Sequence, residues 1–173
     1  KESIWEVVQQ LIGPGKVVEP TNGHVIVRPP QQEGERVEGA AEQWHIDGYA
    51  ADGKEYMFSL LVGVALSDWT IPQAGNFTVF PGSHHIMHQQ VKNHGIRAVM
   101  SSPLKGEIFS LLGDPVELQC REGDVFFVHS KMAHLGGQNW SSSSRYAVFF
   151  RLRHNDPKKL FRSWTRTCWD DLE

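Results

Sequence analysis

Apolar residues recur along this chain in two rhythms. Over residues 3–12, Ile4, Val7, Val8 and Leu11 fall on one face of a 3.6-residue period, with Ser3 in a capping position and Glu6 three places on. That pattern predicts an amphipathic helix, and Gly13-Pro14-Gly15 ends it. Beyond this point the period shortens to two. Residues 16–27 read as two short strands broken at Thr21-Asn22-Gly23, a hairpin-type turn. Residues 28–42 carry Pro29-Pro30, many Gln, Glu and Gly residues and almost nothing apolar, so they read as a polar loop, either a solvated connection or a lid. Strand-like segments follow at 43–49, 57–66, 76–80, 115–120, 124–129 and 145–152. Turns at Gly113-Asp114, Glu122-Gly123-Asp124 and Gly136-Gly137 separate the later ones. Residues 84–94 have mixed, partly helical character after the turn Pro81-Gly82-Ser83, and 157–173 form a helix or a tail. Many short strands at regular spacing predict a mainly β fold, a sandwich or a barrel.

A chain of 173 residues with 40% hydrophobic and 21% charged residues is expected to form one domain over 1–173 around a sizeable core. The net charge of −3 provides no basic face, so nucleic acid is not an expected partner. The basic residues Lys158, Lys159, Arg162 and Arg166 near the end read as a solvated face. Apolar runs are too short to span a bilayer, and no membrane partner is expected. Two cysteines, Cys120 and Cys168, make neither a disulfide framework nor a zinc knuckle. An intracellular, cytoplasmic setting is the expectation, although the first residue is not Met and the N-terminal side reads as shortened.

Candidate chemistry begins at Trp44-His45-Ile46-Asp47. Side chains two apart on a strand share a face, so His45 and Asp47 converge as two ligands of one ion must. A lone His-x-Asp is common by chance, and a polar pair on a strand is its bland reading. A second histidine would complete the two-His, one-carboxylate facial triad of non-haem Fe(II) oxygenases, which leaves three coordination positions open. His134, in the turn between two predicted strands, is that candidate. Arg145 follows His134 by eleven positions at the start of a strand, where its fork of donors can hold a carboxylate. Arg151, which shares strand parity with Arg145, and Arg153 are its rivals, and the offset from His134 favours Arg145. The cluster His84, His85 and His88 reads as packing or capping rather than a second metal site, and His129 as a structural hydrogen-bonding residue. Trp44, Phe126 and Phe127 read as barrel core, with exclusion of water from a site as the alternative. Trp164 and Trp169 are expected to pack on the barrel or on a second subunit.

Three segments resemble the phytanoyl-CoA hydroxylase (phytanoyl-CoA dioxygenase) family of Fe(II)/2-oxoglutarate-dependent dioxygenases. They are residues 44–47, residues 65–84 with Pro81-Gly82-Ser83-His84, and residues 123–145 from Gly123-Asp124-Val125 through His134 to Arg145. The resemblance implies a double-stranded β-helix, a jelly-roll or cupin-like barrel, with a flanking N-terminal helix. It implies Fe(II) on His45, Asp47 and His134, with 2-oxoglutarate as cosubstrate, its distal carboxylate on Arg145, and O2 as the oxidant. It implies hydroxylation of a small-molecule substrate, with succinate and CO2 as co-products. Asp47 stands where related halogenases carry a small residue, which points to hydroxylation. The residue that helps Arg145 hold the cosubstrate is left open, as are the substrate and the oligomeric state. The alternatives are a metal-dependent cupin-type enzyme that does not use 2-oxoglutarate, and a non-catalytic metal-binding jelly-roll module.

Overall fold

A computed structural model describes residues 2–32, 34–35, 39–48 and 56–172. The elements run α1 (Glu2–Ile12), β1 (Val17–Val18), β2 (His24–Arg28), α2 (Ala40–Gln43), β3 (Leu60–Ala65), β4 (Phe77–Val79), α3 (Ser83–His94), α4 (Ile96–Val99), α5 (Leu104–Phe109), β5 (Val116–Glu117), β6 (Val125–His129), β7 (His134–Gly136), β8 (Arg145–His154) and α6 (Pro157–Thr165). β8 is the axis of a five-stranded antiparallel sheet: β3 lies on one side of it, β1 and β2 on the other, and β6 continues beyond β3. A three-stranded antiparallel sheet, β5-β4-β7, packs against it. Contact between the layers is aromatic. Phe77 of β4 stacks within 5.2 Å of both Phe126 of β6 and Phe149 of β8. Neighbouring strands are distant in sequence, as in a jelly roll, so the expected double-stranded β-helix is the fold.

Period-2 alternation gives the large sheet two apolar faces. Leu61, Ala65, Val128, Ala147 and Phe149 face the inter-sheet core. Leu60, Val62, Phe127, Phe150 and Leu152 face outward and are covered by Val8 and Ile12 of α1. Full burial of such side chains is worth about 1.5–3 kcal/mol each, which anchors a helix too short to persist alone. Trp44 and Phe126 therefore lie in the core as expected, while Phe127 belongs to the outer cluster under α1. Gly63 is required for space, because a Cβ there would run into the Phe126 ring from the neighbouring strand.

Several expected elements differ. β1 and β2 do not form a hairpin; both pair antiparallel with β8, Val17 opposite His154 and His24 opposite Phe149. Gly23 serves close approach rather than a turn, since a Cβ would stand 2.7 Å from the Phe150 ring. Arg28 ends β2 instead of opening the loop, and the loop's end is helical, as α2 runs over Ala40–Gln43 into the expected strand. Residues 33 and 36–38 of that stretch lie outside the described residues, as does Tyr49. Residues 43–48 are not a strand: among them His45 alone makes a bridge, to His134. His134 is not in a turn but opens β7, and Gly136 closes that strand. Among the described residues no helix is long and apolar enough to cross a membrane.

α6 supports the site from behind. Asp156 caps it by accepting the backbone N–H of Lys158 at 2.8 Å, and Pro157 takes the first helical position. Trp164 is buried, donates its indole N–H to the Phe58 carbonyl at 3.1 Å and presses on Gly48, the residue after Asp47. It thus packs on the barrel, as expected. Trp169 is half-exposed and stacks on His84 and His129.

His129 closes β6 with both ring nitrogens engaged. Nδ1 accepts the Lys131 N–H at 3.0 Å, and Nε2–H donates to the Cys168 carbonyl at 3.0 Å. Protonation would set a donor against the Lys131 N–H. Burial first, then the Lys131 charge, pushes the imidazole down to about 3. In the unfolded chain the same group titrates near ~6.5, so below that pH the unfolded state takes up a proton that the folded state refuses. The stability this histidine confers is therefore full above pH ~6.5 and falls by about 1.4 kcal/mol per pH unit as pH drops toward its folded value. Other buried histidines add to the acid slope, so the comparison is with His129→Gln. Urea midpoints from pH 7 down to 4.5 are expected to fall less steeply in the variant. Parallel profiles would show that His129 has no share in the acid response.

Candidate metal centre

His45, Asp47 and His134 come together although far apart in sequence. His45 and His134 are joined by reciprocal backbone hydrogen bonds of 2.9 Å, which set the HxD segment beside the first residue of β7. One ligand atom from each of the three residues lies within 4.8 Å of the others. Among the described residues this is the only such group of three or more His, Cys, Asp or Glu side chains. The His84, His85 and His88 cluster accordingly makes no metal group. His84 and His85 stack on each other at 4.0 Å, and His88 bonds the Arg166 carbonyl through Nε2 at 3.2 Å.

Both imidazoles are oriented by the main chain. Nδ1 of His45 donates to the Gln43 carbonyl (3.1 Å), and Nδ1 of His134 to the Met132 carbonyl (2.8 Å). With Nδ1 carrying the proton, Nε2 keeps its lone pair, the form that a metal ligand requires. His134 is 5% exposed and rests on the Phe77 ring at 5.0 Å. Burial first, then the neighbouring His45, pushes it down to about 4, so it is neutral at physiological pH. Burial alone would raise Asp47. Its interaction with His134, then the hydrogen bond and charge of Arg151, and then His45 outweigh that effect and hold its carboxyl below the usual range. Two imidazoles with Nε2 free and one carboxylate on a single side of a cavity suit a divalent cation with open positions.

Arg151, a rival of Arg145 in the sequence, meets one of the candidate metal ligands. Its Nε donates to Asp47 Oδ2 at 3.1 Å and its Nη2 lies 3.0 Å from Oδ1, a bidentate pair. It is therefore a partner of the HxD carboxylate, and strand parity with Arg145 was the one signal of its inward direction. Arg145 lies deeper and is 2% exposed. Its Nε donates to the Gly75 carbonyl at 2.7 Å, and its guanidinium stacks over Trp69 at 5.2 Å. Nη1 is buried with no hydrogen-bond partner. The triad, Arg145 and Arg151 line one cavity of about 150 Å³, walled by Ile26, Leu61, Phe77 and Phe149. Arg28 lines it too, although its place before Pro29-Pro30 predicts a loop.

No curated protein sequence matches the chain. Its fold is similar to solved structures. One is the non-haem alpha-ketoglutarate-dependent carbocyclase SnoK from nogalamycin biosynthesis (20% identity, TM-score 0.60), aligned over 82% of this chain and 52% of that one. EvdMO1 aligns at 20% identity and TM-score 0.59, over 90% of this chain and 31% of that one. HygX from Streptomyces hygroscopicus, solved with nickel and 2-oxoglutarate bound, aligns at 16% identity and TM-score 0.52, over 89% of this chain and 64% of that one. The chain thus spans between 31% and 64% of the length of these three proteins. A family model described as phytanoyl-CoA dioxygenase (PhyH) matches residues 3–147, which takes in the HxD segment, β7 and Arg145. The chain belongs to the phytanoyl-CoA dioxygenase family.

Proposed function

We propose that this chain holds Fe(II) on His45, Asp47 and His134, binds 2-oxoglutarate with its distal carboxylate on Arg145, and hydroxylates a small organic substrate. One observation carries the reading. Three ligand atoms within 4.8 Å of one another open into the cavity that also contains the buried, incompletely bonded guanidinium of Arg145. A buried donor with no partner is unfavourable by about 1–3 kcal/mol, and a carboxylate is its natural complement. Family membership supports the same kind of reaction. HygX, whose fold is similar, was solved with nickel and 2-oxoglutarate bound.

Iron, when bound, supplies the activation of O2 that couples decarboxylation of 2-oxoglutarate, to succinate and CO2, with oxidation of the substrate. The chain supplies the rest. The Gln43 and Met132 carbonyls fix the two imidazoles with Nε2 free. Arg151 orients the Asp47 carboxylate. Asp47 itself fills the acidic position and directs the reaction toward hydroxylation. Phe77, Phe149 and Leu61 line the cavity and keep it poor in water. His24 and Arg151, whose Nε2 and Nη1 lie 3.3 Å apart, border the same cavity, and His24 is exposed.

Anaerobic addition of Fe(II) and then 2-oxoglutarate is expected to produce a metal-to-ligand charge-transfer band in the visible range, and admission of air to produce succinate. Iron binding with no band would instead favour a cupin-type metalloenzyme that makes no use of 2-oxoglutarate. Failure to bind iron at all would leave a non-catalytic module.

A further inference from the structure

Besides Arg145 and the Asp47-paired Arg151, the cavity contains a third guanidinium, whose position is unfavourable unless an anion joins it. Arg28 is paired in register with Arg145, the two directly opposite each other on β2 and β8. Like charges directly opposite on adjacent strands repel. Both side chains line the same cavity, Arg145 buried and Arg28 partly so, and solvent therefore screens the repulsion only in part. Nε of Arg28 and Nη1 of Arg145 are both buried without a hydrogen-bond partner.

The backbone around them is shaped to keep them there. Gly75 adopts φ +74, and a Cβ on it would stand 3.0 Å from Cβ of Arg28 and 3.3 Å from Cβ of Arg145. Its carbonyl accepts Nε of Arg145. Gly136, two residues past His134, leaves room for the other guanidinium: a Cβ there would stand 2.6 Å from Nε of Arg28. Asn139 fixes the main chain by donating Nδ2 to the Arg28 carbonyl at 2.7 Å and to the Ser143 carbonyl at 2.9 Å, and so ties the end of β2 to the turn before β8. Burial first, and the Arg28 charge second, pushes Arg145 down to about 10, still cationic at neutral pH.

We infer that Arg28 and Arg145 together clamp the distal carboxylate of the 2-oxo acid, Arg28 being the second cosubstrate contact. The inference rests on the function proposed above and deepens it. Two forks of donors confronting one another in a mostly apolar cavity fit a single carboxylate with several lone-pair sites, whereas a neutral end would leave both cations unmatched. The pair therefore selects dicarboxylic 2-oxo acids over monocarboxylic ones.

The test uses two probes that chelate alike and differ at the far end: 2-oxoglutarate and 2-oxovalerate. Each is titrated anaerobically into Fe(II)-loaded protein and followed by the charge-transfer band. Wild type is expected to prefer 2-oxoglutarate strongly. Arg28→Gln is expected to weaken 2-oxoglutarate roughly thirtyfold or more while leaving 2-oxovalerate within about threefold. Arg28→Lys, which keeps the charge and loses the fork, should fall between them. A second readout needs neither metal nor turnover: without ligand, Arg28→Gln should melt no lower than wild type, because a like-charge pair has been removed. Equal weakening of both acids, or unchanged 2-oxoglutarate binding, would overturn the inference while leaving the proposed function standing. Wild type that shows no band with 2-oxoglutarate would overturn both. A fall in melting temperature in both Arg28 variants would make Arg28 a structural residue and overturn the clamp.

Discussion

His134→Ala and Asp47→Ala are each expected to reduce 2-oxoglutarate turnover by more than about a hundredfold, since loss of even an outer partner of a metal ligand costs about 10–100-fold. Both should also lose Fe(II) affinity, measured by competition with a chromophoric chelator under anaerobic conditions. The two differ in what they leave behind. Removing an acidic ligand is expected, from sequence alone, to relieve repulsion in the metal-free protein, because an isolated carboxylate facing ligands is a liability. The Asp47–Arg151 pair reverses that expectation: Arg151 Nε and Nη2 already neutralise both carboxylate oxygens. Asp47→Ala therefore strands a guanidinium about one third exposed, and the metal-free protein should lose stability by up to about 1 kcal/mol. His134→Ala leaves a void against Phe77 at a 5% exposed position and removes the group that folds in its neutral form. Its stability should respond less to acid than that of wild type. Near-normal succinate production by either variant would remove that residue from the ligand set.

The parts of this site that were legible in the sequence are those fixed by local geometry. His45 and Asp47 needed only the rule that alternate residues share a face, and they converge even though the segment forms a single bridge rather than a strand. The strands β3, β6 and β8 were readable because each carries several β-branched or aromatic residues. β7 was not, because His134-Leu135-Gly136 is too short to show alternation and ends in glycine, which sequence rules assign to turns. The helices α4 and α5 were hidden by Gly95, Pro103 and Gly106, which punctuate four- and six-residue helices.

What escaped altogether depends on tertiary pairing. Gly23 carries the signature of a turn, yet it is a glycine because β8 side chains crowd it. Arg28 precedes Pro29-Pro30 and so reads as loop. Its inward direction follows from parity with His24 and Ile26, a pattern visible only once β2 is known to pair with β8. Arg151 and Arg145 share parity, and sequence parity alone cannot say which of them meets the metal ligand and which meets the cosubstrate. Chain geometry divides them: β8 runs from the buried guanidinium at its start to the Asp47 partner six residues on, along the same cavity wall.

That division makes Arg145 the most informative single substitution. Arg145→Gln should weaken 2-oxoglutarate by about 150-fold to several thousandfold, because removing one partner of a buried charged pair costs about 3–5 kcal/mol. Iron affinity measured without 2-oxoglutarate should stay within about threefold of wild type, since no ligand of the triad bonds Arg145. Arg145→Lys should not restore binding. Lysine keeps the charge but cannot donate Nε to Gly75 while presenting a second donor to the cavity, nor lie flat over Trp69. Stability moves the other way from affinity. In the ligand-free protein Arg145 loses its bond to Gly75, but so does its repulsion with Arg28 vanish, and the net change in melting temperature should be small beside the loss of affinity. Parallel loss of iron and 2-oxoglutarate affinity would mean that Arg145 holds the ligand set in place through Gly75 and β4 rather than meeting the cosubstrate. An unaltered charge-transfer titration in Arg145→Gln would move the distal carboxylate elsewhere in the cavity, to Arg28 alone or to Arg151, the two other guanidiniums that line it.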